Sequence, residues 1–372
     1  MLQNSANAPV LNLMVALGGL CLISSKNWLF VYLSIELPTL SFFILIAWRE
    51  GSGQSAEAGL KYFVLGAFSS GLFLVGCALL CAATGRAFLS HGDLTQNFFC
   101  VPLGNLLITI ALLFKLSAAP FHIWTPDVYE GAPGSTTALL AIVPKIGVFS
   151  LLVSIGPAAN ILLMGVLASL IVGALGALNQ TRIKRLLAYS GVGHVGFILW
   201  GMETGSFGGL QASLLYLGLY VLMSICAFTI VLALNMAKSM LVEFTGLSRR
   251  FPLLGGSLAL VFLSIAGIPP LAGFIGKWLV LLTGVTSGSY LIFFFAIACA
   301  VLSGVYYVRI VKIIYFQVGH PLLISLKMFR RESQLNIKKA ALMGFSLYLI
   351  GLVVLVPNLW LLIITEALEG LF

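Results

Sequence analysis

From about residue 9 to residue 364 the chain is a succession of apolar runs, each long enough to cross a bilayer, joined by short connections. In hydrocarbon no water can satisfy an exposed N–H or C=O. A run of this kind must therefore fold as a helix or as part of a closed barrel. The runs are continuous and lack the two-residue alternation of barrel strands, which selects helices. Only 8% of the 372 residues are charged, 60% are hydrophobic, and mean hydropathy is +1.10. A water-facing surface needs roughly 25% charged residues. The expected fold is an all-α membrane protein.

A span needs about 20 mainly apolar residues. Eleven are expected, at about 9–24, 27–48, 56–83, 103–130, 134–155, 160–178, 184–201, 209–236, 252–284, 288–316 and 338–364. The fourth is broken near Pro120 and the ninth near Pro269-Pro270. No soluble domain fits between them, since the longest connections are about 84–102 and 317–337.

Eleven spans put the termini on opposite sides, and the basic residues distinguish the sides. On the N-terminal side fall Arg49, Arg182, Lys184, Arg185, Lys238, Arg249, Arg250, Arg309, Lys312, Lys327, Arg330, Arg331, Lys338 and Lys339; on the other fall only Lys26 and Arg86. By the positive-inside rule the N-terminal side is the cytoplasm-like or matrix-like face. The net charge of +9 is thus a topology signal rather than a nucleic-acid footprint.

Both broken spans carry a lysine and a tryptophan near the break, Lys115 with Trp124 and Lys277 with Trp278. They are five spans apart, an odd number, so two five-helix units must be inverted in the membrane. The single membrane domain, 1–372, is accordingly read as a first inverted repeat over 9–155, a second over 160–316, and a C-terminal transmembrane helix over 338–364. Inverted repeats with broken helices are a common build of ion-translocating proteins.

Lys61, Lys115, Lys145, Lys277 and Glu36 fall within spans. A charge at the bilayer centre costs about 2.5–3.5 kcal/mol on insertion scales and usually marks an ion or proton path. Glu36 reads as a proton-bearing carboxylate paired with a lysine, against the alternative of a structural ion pair. Lys115 stands one turn before the Pro120 break, where freed carbonyls require a hydrated cavity. Lys145 lies mid-span beside Pro144, and Lys277 follows the second break. Lys61, near a span end, reads as a snorkelling anchor. His194 is mid-span, either a relay member or a side chain bonded to a neighbouring helix. His122, after the first break, reads as structural, and Asp127 and Glu130 lie near the N-terminal-side face.

Two motifs are decoys. Gly191, Gly193 and Gly196 spell GxGxxG, but inside an apolar helix with no preceding strand. Gly276-Lys277 ends like a phosphate loop, yet Trp278 replaces the required hydroxyl residue. The six cysteines show no haem or iron–sulfur spacing and read as small apolar packers. The first ten residues resemble neither a secretory signal nor an imported transit peptide, which fits synthesis in the compartment that holds the membrane.

The wording PFHIWTPDVYEGAP over 120–133, with Lys115 upstream and PKIG over 144–147, resembles the antiporter-like subunits of respiratory complex I, NADH:ubiquinone oxidoreductase, and among them subunit 2. KRLLAYSGVGHVGF over 184–197 and GIPPLAGFIGKW over 267–278 fit the same family, and the resemblance runs from about 9 to 364. It implies proton transfer through Glu36, its partner Lys115, the connecting Lys145, the axial His194 and the terminal Lys277. It implies no cofactor or metal in this chain, with NADH, FMN, iron–sulfur clusters and ubiquinone bound by other subunits. The partners implied are other membrane-arm subunits and lipids. Full-length relatives have fourteen spans; a start at the fourth implies the short, mitochondrially encoded form. The expected location is the mitochondrial inner membrane, with the N-terminus on the matrix side. A plastoquinone-reducing relative is a variant of this reading. A cation/proton antiporter subunit and a non-pumping structural subunit are the alternatives.

Overall fold

The structure, a computed structural model, describes residues 2–49, 52–85, 87–88, 100–234, 239–317 and 337–369. Arg86, Lys238, Lys327, Arg330 and Arg331 lie outside the described residues. Two compact units are present, Met1–Ser169 and Leu170–Phe372. The division falls inside a helix rather than in the connection at 156–159.

The first unit contains α1 (Leu2–Ile23), α2 (Trp28–Ala47), α3 (Gly53–Thr84), α4 (Cys100–Leu116), α5 (Trp124–Gly131), α6 (Gly134–Ile155) and the start of α7 (Ala159–Leu178). The second continues α7 and adds α8 (Ile183–Glu203), α9 (Phe207–Ala233), a 3-10 turn (Leu241–Phe244), α10 (Leu247–Arg250), α11 (Pro252–Ala266), α12 (Ala272–Thr286), α13 (Tyr290–Tyr315), α14 (Ile337–Leu355) and α15 (Pro357–Glu369). Isolated bridges occur, but no strand is present among the described residues. Among the described residues, seven helices are long and apolar enough to cross a membrane. The remaining expected spans correspond to α1, the α4–α5 pair, the α11–α12 pair, and α8, whose Lys184, Arg185 and Glu203 raise its charge.

Local chemistry sets the helix ends. Asn27 and Ser206 are N-caps whose side chains accept from Leu29 N at 3.1 Å and Gly209 N at 3.0 Å. The expected span at 338–364 is divided: α14 stops at Leu355 and α15 starts on Pro357. Proline lacks an N–H and suits the first helical position, so the chain restarts rather than continues. The connection before α11 also gains the 3-10 turn and α10, which apolar periodicity did not signal.

Within each unit, several contacts among the described residues join ends that the eleven-span order puts on one side. Asn27 bridges Phe88, and Asn105 Nδ2 donates to Gly156 O at 3.4 Å. Arg182 bridges Met240, Arg309 Nη1 donates to Leu178 O at 3.2 Å, and Ser248 Oγ donates to Ile314 O at 3.1 Å.

Close helix approaches rest on glycine. A Cβ on Gly18 would lie 2.5 Å from the Pro38 ring, and one on Gly173 2.4 Å from Gly193 N. The second contact is backbone against backbone and cannot relax by a rotamer change. Gly173→Ala should cost about 1–3 kcal/mol by overpacking, seen as a lowered melting temperature and less assembled protein. Gly304→Ala, which has no atom within 4 Å of its Cβ, should leave both unchanged.

Candidate functional site

In the first unit the site is built at the end of α4. Ala118 N donates to Leu113 O at 2.9 Å and Ser117 N to Phe114 O at 3.1 Å, with Ser117 left-handed at φ 63°. These two bonds form a Schellman end, which satisfies carbonyls that a helix leaves open. Pro120 follows, so the helix cannot resume until α5. Lys115 therefore stands in the last turn of α4, facing a cavity of about 40 Å³. Thr39, Tyr62, Trp124, Pro38 and Pro144 help to line it. Prolines inside α2 and α6 break the helical ladder beside this space. A cavity needs roughly 10–15 Å³ to accept a water.

Glu36 lies on α2 two residues before Pro38. Thr39 Oγ1 donates to its Oε2 at 3.0 Å, while Oε1 is buried with no hydrogen-bond partner among the described residues. Glu36 is within electrostatic reach of Lys115 and Tyr62. It is not in direct ion-pair contact with Lys115, unlike Glu57 and Asp127 with Lys61. Lys145 is only 3% exposed, on α6 between cavity-lining Pro144 and Gly147.

Lys61, partly exposed near the start of α3, also pairs with two carboxylates. Its Nζ lies 2.7 Å from Glu57 Oε1 and 3.0 Å from Asp127 Oδ2, tying α3 to α5. His122 lies in the turn between α4 and α5.

The second unit repeats the helix end at a different place relative to its lysine. Ile268 N donates to Leu263 O at 3.2 Å and Gly267 N to Ser264 O at 2.9 Å, with Gly267 at φ 83°. Lys277, on α12 and 6% exposed, reaches back to donate to Ala266 O at 2.9 Å. Its ammonium also sits 5.5 Å from the centre of the Phe197 ring. Lys277, His194, Ser190, Ser303 and Tyr306 line one cavity of about 20 Å³.

His194 is buried in a tyrosine cluster. Its Nδ1 lies 2.6 Å from Tyr216 Oη and its Nε2 3.4 Å from Tyr307 Oη, and the Tyr306 and Tyr307 rings are 4.4 Å apart. This histidine therefore bonds to neighbouring helices and also shares a cavity with Lys277. The sequence analysis missed Tyr62, Tyr216, Tyr306 and Tyr307. Their phenols are the sparse polar groups of otherwise apolar spans, which was the available signal. The GxGxxG decoy has a packing role, with Gly193 against Gly173, and Gly276 makes room for Tyr216. Among the described residues no group of three His, Cys, Asp or Glu could hold a metal.

Broken helices flanked by buried lysines, a carboxylate and phenols define a polytopic membrane protein of the ion-translocating class. Residues 25–303 match the model of the NADH:quinone oxidoreductase/Mrp antiporter membrane family. NADH-ubiquinone oxidoreductase chain 2 of Metridium senile is 60% identical over 374 residues, 98% of this chain and 97% of that protein. The solved respiratory complex I from Thermus thermophilus with bound aureothin contains a similar chain, 32% identical with TM-score 0.80, matched over 94% of this chain and 78% of that one. The Mrp complex from Dietzia sp. DQ12-45-1b has a chain of the same fold, at TM-score 0.82 and 19% identity over 95% of this chain and 76% of that one. The chain belongs to the NADH:quinone oxidoreductase/Mrp antiporter membrane family.

Tyr216→Phe removes a partner from a buried imidazole and should cost about 1–3 kcal/mol of stability, visible as a lower melting temperature. Asp127→Asn, at a pair about 40% exposed on each side, should leave the melting temperature nearly unchanged, as screened surface pairs contribute little.

Proposed function

We propose that this chain is a proton-translocating, antiporter-like membrane subunit of NADH:ubiquinone oxidoreductase, driven by quinone reduction elsewhere in the complex. The observation that carries the reading is the near full-length, 60% identity to a chain-2 protein. The two lysine-lined cavities at broken helices supply the chemistry.

In this reading Glu36 and Lys115 form the first half-channel. Their separation leaves the pairing adjustable: drawing the carboxylate closer or farther changes the proton affinity of the ammonium. A proton moved from Lys115 passes to Lys145, whose burial beside Pro144 makes it the connecting carrier. His194 and the surrounding phenols form the axis of the second half, and Lys277 is its terminal carrier. Hydroxyl and imidazole groups can accept one proton while giving another. The two halves are inverted repeats, 9–155 and 160–316.

The subunit resides in the mitochondrial inner membrane with its N-terminus on the matrix side, as the distribution of arginine and lysine supports. Its partners are other membrane-arm subunits and lipids, while NADH, FMN, iron–sulfur clusters and ubiquinone are bound elsewhere in the complex. The likeness to an Mrp chain concerns the fold and leaves a cation/proton antiporter as the second reading. Co-purification with flavin and iron–sulfur subunits separates the two.

Glu36 acts on Lys115 at a distance, so removing either charge changes the proton affinity of the other. Glu36→Gln and Lys115→Met should each lower proton pumping several-fold and leave NADH-to-artificial-acceptor electron transfer intact. Pumping at the unmodified rate in a fully assembled complex would contradict the assignment.

A further inference from the structure

The two helix breaks can be superposed residue by residue on their hydrogen bonds. Leu113 and Leu263 both accept from a residue five positions on, Phe114 and Ser264 from one three positions on, and Ser117 and Gly267 both take the left-handed conformation. Pro120 and Pro270 then occupy the same place. In this register Lys277 corresponds to Asp127, so the two lysines are not equivalent: one precedes its break and the other follows it.

The consequence is a different division of labour. In the second unit the lysine itself reaches back to the helix end, with Lys277 Nζ donating to Ala266 O at 2.9 Å. In the first unit the extra donor is Trp124, whose Nε1 donates to Phe114 O at 3.1 Å, while Ser117 Oγ donates to Leu116 O, the counterpart of Ala266 O. The lysine of the first unit takes no part in closing its helix end.

We propose that Trp124 is a positioning residue for proton transfer at Lys115, holding the end of the lysine's helix closed so that the ammonium stays turned to the cavity. The inference rests on the reading of Lys115 as a proton carrier. Trp124 is built for this duty. It is 5% exposed, stacks on Phe114 at 5.9 Å, and meets the Tyr62 ring edge-on at 5.5 Å. Tyr62 is in turn within electrostatic reach of Glu36, and Trp124 and Lys115 line the same cavity.

The helix that carries Trp124 is itself held. Asp127 is bonded to Lys61 at 3.0 Å, and a Cβ on Gly131 would lie 2.6 Å from Gln54 O. Trp124 thus ties the post-break helix, already docked on α3, to the residue immediately before Lys115. A buried indole N–H takes a partner in any case; here that partner is the carbonyl immediately before Lys115, and the ring lines the lysine's own cavity.

The test is Trp124→Phe in the assembled complex, which keeps an aromatic ring and removes the donor. Protons pumped per NADH oxidised should fall between about two- and ten-fold, the range one such hydrogen bond spans, with assembly and NADH-to-artificial-acceptor activity unchanged. The pH profile of pumping should move, because Glu36 of α2 acts electrostatically on Lys115, Tyr62 of α3 lines the same cavity, and Lys145 of α6 adjoins it. In a Glu36→Gln background the same substitution should add no further loss. Should Trp124→Phe not assemble, Trp124→Leu, which also removes the donor, is read in its place. Normal pumping, or a loss that adds to that of Glu36→Gln with an unmoved pH profile, overturns the inference. If Lys115→Met pumps normally, the underlying reading fails; if it does not while Trp124→Phe does, only this inference fails.

Discussion

The structure depends on one constraint, that a helix interrupted inside a bilayer must satisfy the carbonyls it frees. Both breaks meet it with the same pair of backbone bonds around a left-handed residue, Ser117 in one case and Gly267 in the other. Once the end is closed by the chain itself, a short non-helical turn is tolerable in lipid, and space opens beside it. That space is where the lysines stand. Prolines within α2 and α6 enlarge it from the facing side in the first unit.

Charge placement follows from the same constraint. A buried lysine persists only where something offsets its desolvation. Lys277 has a carbonyl and an aromatic face; Lys115 has a carboxylate at a distance and a cavity wall with a phenol and a hydroxyl. The first arrangement is fixed by geometry, the second is open to adjustment. A carrier that must respond to events elsewhere in a complex belongs in the second kind of site.

Much of this was legible in the sequence. The apolar runs gave the helices, and Pro120 and Pro269-Pro270 marked both breaks, because proline acts locally and leaves no alternative. Glu36, Lys115, Lys145, Lys277 and His194 stood out because charge and imidazole are rare in such runs. Tertiary partners were not legible. The link from Lys61 to Asp127 spans 66 positions, and the tyrosines around His194 come from α9 and α13, so no periodicity on one helix reports them. The division at Pro357 was missed because the apolar character continues through it. The distance at which Glu36 stands from Lys115 was not legible either, since it is set by how α2 packs beside α4.

The central claim is that the two cavities are water-accessible proton sites rather than dry ion-pair cores. A map of the assembled complex that resolves ordered water tests it most directly. The account predicts water in both cavities, within hydrogen-bonding distance of the Lys115 and Lys277 ammonium groups and of the Glu36 carboxylate. Cavities closed by side chains, with Glu36 and Lys115 in direct contact and no water beside either lysine, would contradict it.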